Sequence, residues 1–60
     1  MTLSDYTAAV RDAMASVWFV SLGLAQDLVE RYEGLVAENW EYGEPIENTG
    51  LMLLKREGLK

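Results

Sequence analysis

Apolar residues along the chain recur with helical rather than strand spacing. Tyr6, Val10, Ala13, Val17, Val20 and Leu24 step by alternating fours and threes, the rhythm of a heptad seam. Leu28, Tyr32 and Leu35 then follow with Val29 and Val36 alongside, a change of phase resembling a stutter. Asp27, Glu30, Arg31, Glu33 and Glu38 fill the opposite face, with Asp27 and Arg31 spaced as an i, i+4 ion pair. Thr2-Leu3-Ser4-Asp5 reads as a helix start, capped by Thr2 or, two residues later, by Ser4. Gly43 suits a left-handed helix end and Pro45 the first residue of a new helix. The pattern therefore predicts an all-α single domain over 1–60. A long helix spans about 4–39, a turn about 40–44 and a short helix about 45–57, together forming a helical hairpin that oligomerises by coiled-coil-like packing. The expected internal core is Val10, Val17, Leu24, Leu28 and Leu35 against Ile46, Leu53 and Leu54. Trp40 and Tyr42 are expected to staple the two helices together.

Between Ala13 and Ala25 there is no charge, and the apolar positions do not keep to one face. Met14, Trp18 and Leu22 form a second stripe, with Phe19 beside it. A helix apolar nearly all round is normally buried on all sides. A hairpin of this size covers only one, so the second face predicts an external cover. Met14, Val17, Trp18, Phe19, Val20, Leu22, Gly23 and Leu24 are the candidate interaction surface, with Gly23 the point where another helix packs closely. Gly34 is a local end, a kink or a tolerated weak point.

Composition narrows the means of stabilisation. Sixty residues without cysteine or histidine exclude disulfides and nearly all transition-metal sites, leaving oligomerisation as the usual support for so small a chain. Net charge is -5, which argues against nucleic acid as a partner. The uncharged stretch covers roughly 20 Å as a helix, short of the ~30 Å bilayer core, so no membrane span is expected. No basic segment precedes it, and a cytoplasmic location is expected. Serines lack any histidine base, and no phosphate loop or calcium-loop spacing occurs. Catalytic residues, cofactors and metal ligands are accordingly not expected, and the chain reads as a non-enzyme.

The run Val10-Arg11-Asp12-Ala13, Val17-Trp18-Phe19-Val20-Ser21-Leu22-Gly23-Leu24, Ala25-Gln26 and Tyr32-Glu33-Gly34-Leu35-Val36-Ala37-Glu38 resembles the phasin family. These are small helical proteins that coat polyhydroxyalkanoate storage granules. The likeness covers residues 10–38, and its most telling part is the spacing of Trp18 to Leu22-Gly23. It implies self-association and adsorption of an amphipathic helix to a polyester granule surface through Trp18, Phe19, Val20 and Leu22. The Pro45 turn and Leu51-Met52-Leu53-Leu54 lie outside that pattern, and the chain is acidic overall, whereas family members are usually longer and often carry a lysine- and alanine-rich tail. The alternative is a small accessory subunit that docks its apolar helix on a larger protein complex.

Overall fold

A computed structural model describes all of residues 1–60. It is all-α, with helices α1 Leu3–Val17, α2 Leu22–Arg31, α3 Glu33–Glu41 and α4 Ile46–Arg56. The expected single long helix is thus three. It breaks first at Trp18 to Ser21, where Ser16, Val17, Trp18, Phe19, Val20 and Ser21 are all poorer helix formers than alanine or leucine. Ser21 then restarts the helix, its hydroxyl accepting from the Leu24 N–H at 3.2 Å. The second break is a single residue, Tyr32, whose ψ of 33° offsets α3 from α2. Gly34 lies in the first turn of α3 with open space around it.

Other punctuation falls as the sequence predicts. Thr2 caps α1, accepting from the Asp5 N–H at 3.1 Å. Gly43 takes φ 73°, and the Glu44 N–H returns to the Asn39 carbonyl at 2.9 Å, closing a Schellman motif. Gly58 repeats the motif after α4, with the Leu59 N–H on the Leu54 carbonyl at 2.9 Å. Pro45 occupies the N-cap of α4 rather than its first turn, a shift of one residue.

α1 is the central element and packs against the other three, most extensively α4 and α2. Its inward stripe is Tyr6, Val10 and Met14, which steps by four. Ala25, Leu28 and Val29 from α2, Val36 from α3, and Leu53 and Leu54 from α4 complete the core. Of the expected core, Val10, Leu28, Leu53 and Leu54 are buried, Leu35 and Ile46 pack at its margin, and Val17 and Leu24 are exposed. The heptad seam fails for these two because the break after Val17 resets the phase.

Breaking the helix also changes how much surface the chain hides. Accessible area is 3695 Å², close to the ~3,950 Å² that size scaling gives a compact monomer of this mass. Met14, expected on an external face, is fully buried inside α1's contact with α4. Among the helical glycines, the one against which another helix packs closely is Gly50, not Gly23. A Cβ at Gly50 would stand 3.2 Å from Met14 Cγ and 3.3 Å from a Trp18 ring carbon, whereas one at Gly23 would meet nothing within 4 Å. Trp40 is half-buried against the core and donates its indole N–H to the Met1 carbonyl, but Tyr42 projects into solvent and staples nothing.

Candidate interaction surface

The eight residues proposed from sequence divide into three groups. Met14 is core, and Trp18 and Val20 are partly buried against it. Val17, Phe19, Leu22, Gly23 and Leu24 remain exposed around the corner between α1 and α2. Phe19 is 89% exposed and Leu22 59%. No charged residue interrupts this corner from Ala13 to Gln26.

Phe19 stands out for its backbone as well. Its φ is 58°, and it is the only residue other than glycine with a positive φ. The corner holds it there from both sides. The Trp18 and Val20 N–H groups both donate to the Met14 carbonyl at 3.3 Å, and Ser21 opens α2 two residues later. A left-handed residue after a helix end is usually glycine, since a Cβ there crowds the carbonyl and costs roughly 1–2 kcal/mol. The two equivalent positions after α3 and α4 are indeed Gly43 and Gly58. At the α1 end the chain carries instead its only phenylalanine, strained and almost fully exposed. Helical periodicity does not reveal this residue, because Val17, Val20 and Leu24 keep the spacing of one continuous helix. The Ser21 cap, followed by the apolar run of α2, was the available signal.

Comparison with protein-family models, curated proteins and solved structures returns no match. No helix is long and apolar enough to cross a membrane.

Polar side chains do their visible work elsewhere, in holding the helices together. Arg31 does not pair with Asp27. It forms an ion pair with Glu57, just past α4, and the Tyr32 hydroxyl donates to the other Glu57 oxygen at 2.6 Å. This clasp ties the α2–α3 joint to the end of α4. The hydrogen bond from Tyr32, then that from Arg31, holds the Glu57 carboxyl below its ordinary value. The same bond to Glu57, with some burial, raises the Tyr32 phenol. A carboxyl depressed in the folded state stabilises above its unfolded pKa, and that contribution disappears as pH falls through the folded value. A phenol raised in the folded state stabilises below its unfolded pKa and loses its contribution as pH climbs towards the folded one. The clasp is therefore complete between about pH 5 and pH 9. In urea titrations at a series of pH values, Glu57→Gln should flatten the acid limb below about pH 4. An acid limb identical to that of the wild type would show that the clasp contributes nothing.

Proposed function

We propose that this protein is a small non-enzymatic binding module that inserts Phe19, flanked by Val17, Leu22 and Leu24, into an apolar pocket on a larger protein. One observation carries this reading: a phenylalanine, strained and exposed, occupies the position for which the same chain twice uses glycine. Strain of this kind clusters at ligand clamps and switch regions. Phenylalanine offers about 150–250 Å² of contact, and its three neighbours are partly covered already. The whole corner therefore supplies a few hundred Å², which is the size of functional patches on ordinary monomers. A standard interface takes ~800 Å² from each partner. Two such corners face to face fall short of that, whereas one aromatic knob enclosed by a pocket gains most from a small area. The near-monomeric surface area points the same way.

Phe19→Gly separates this role from folding. Relief of the left-handed strain (~1–2 kcal/mol) exceeds the added unfolded-state entropy of glycine (~0.5–1 kcal/mol), and almost no burial is lost. The variant should melt above the wild-type temperature, by roughly 3–6 °C, while losing its partner. A photo-crosslinking phenylalanine analogue at position 19 in cells should give a discrete adduct with one larger protein, and the same analogue at Glu30 should not. A drop in melting temperature would mean that Phe19 serves the fold. An adduct only with a second copy of the chain would favour self-assembly instead.

The phasin-like reading is retained as a second proposal, because Phe19 and Leu22 of the resembling run are also the exposed ones. It predicts adsorption of the purified protein to polyester particles and its loss in Phe19→Gly.

A further inference from the structure

Where α1, α3 and α4 converge, Tyr6, Asn39, Thr49 and Met52 form a hydrogen-bonded chain whose proton order is fixed. The Tyr6 hydroxyl lies 2.7 Å from the Glu44 carbonyl, which can only accept, so its one proton goes there. Thr49, 2.7 Å from the same hydroxyl, must then donate to it. The Asn39 amide gives one proton to Thr49 Oγ1 at 3.0 Å and the other to Met52 Sδ at 3.3 Å. No buried side-chain polar atom lacks a partner. The inner members are buried, but the last acceptor is a thioether on a residue 38% exposed. Met52 also lines a shallow surface pocket with Glu44, Asn48, Leu51 and Lys55, wide enough to admit a small polar molecule.

We propose that Met52 is a modification site for hydrogen peroxide, oxidised selectively to one sulfoxide epimer, and that its oxidation weakens the buried network. A thioether sulfur has two lone pairs, and attack from each gives a different epimer. One lone pair is occupied by the Asn39 N–H, which leaves the other to attack the peroxide. The sulfur pair forms the S–O bond as the O–O bond breaks, and the departing hydroxide leaves as water with the peroxide's remaining proton. Sulfur is oxidised by two electrons and peroxide is reduced by two. The electron-poor sulfur that results is a weaker acceptor for Asn39. Slack there passes through Thr49 and Tyr6 to the Glu44 carbonyl in the α3–α4 turn.

The three methionines provide internal standards, since Met1 is 72% exposed and Met14 fully buried. The full chain is treated with hydrogen peroxide and digested, and each peptide is then exposed to the two epimer-specific sulfoxide reductases. Met1 should give both epimers equally, Met52 predominantly one, and Met14 none. Oxidation in urea should give both at Met52. The oxidised wild type should melt about 4–8 °C lower, the shift expected for one neutral hydrogen bond in so small a domain. Met52→Leu treated in the same way should not shift. Equal epimers at Met52 in the folded protein, or an unchanged melting temperature after its oxidation, would overturn the proposal.

Discussion

Met14→Ala should unfold most of the protein at physiological temperature rather than detach it from a neighbour. Met14 is completely buried, and its Cγ packs closely over the bare backbone of α4 at Gly50. With no side chain at position 50 to swing into the space, the cavity should persist. Truncating a buried methionine costs about 2–5 kcal/mol, and a core in a chain this short rarely supplies more than ~3–5 kcal/mol in all. The Met14 carbonyl also receives the two N–H groups that close the α1 end, so loosening the turn beneath it weakens the corner as well. Circular dichroism melts should show the helical signal already reduced before heating. Met14→Leu keeps the volume and should lose less than about 1.5 kcal/mol. Were Met14→Ala to melt like the wild type and change only its state of association, Met14 would belong to an outer surface, and the packing of α1 on α4 described above would be wrong.

Met14 also shows where sequence reasoning reached its limit. Helical class was legible throughout, because every buried position recurs with helical spacing and none with the alternation of a strand. Thr2, Gly43 and Pro45 announced their ends and turns through local chemistry that acts within four residues. The break after Val17 was harder. Val17 and Val20 satisfy a heptad seam, and nothing in the run forbids a helix outright. The run merely lacks strong helix formers. A continuous helix places Met14 and Trp18 in a second stripe about a quarter-turn from Val17 and Leu24, making the apolar face too broad for one partner helix to cover. Once the chain turns at Phe19, α2 folds back along α1, and both Met14 and most of Trp18 find cover within the same molecule. The excess of apolar surface inferred from sequence was therefore real in part. Val17, Phe19, Leu22 and Leu24 remain exposed, while the exposure of Met14 and Trp18 was an effect of assuming a straight rod. Nor could spacing identify the Thr49 and Asn39 contacts, ten residues apart and joined only by the α3–α4 turn.

Those contacts set the second large effect. Thr49→Val preserves the shape of a fully buried side chain and removes only its hydroxyl chemistry. Tyr6 keeps its bond to the Glu44 carbonyl, so the burden falls on Asn39, whose amide loses an acceptor in a site 8% exposed. A buried donor left without a partner costs about 1–3 kcal/mol. At roughly 4–8 °C per kcal/mol in a domain of this size, the melting temperature should fall by about 10 °C. Thr49→Ser keeps the hydroxyl and loses one methyl, worth ~0.8 kcal/mol, and should be the milder change. The decisive comparison is the double variant Thr49→Val with Asn39→Leu, which removes both polar partners together. If the penalty is the stranded amide, the pair should be more stable than Thr49→Val alone, giving a coupling of about 1 kcal/mol or more in a double-mutant cycle. Strict additivity would show instead that Thr49 acts through its packing alone, and that the chain from Met52 to Tyr6 transmits nothing.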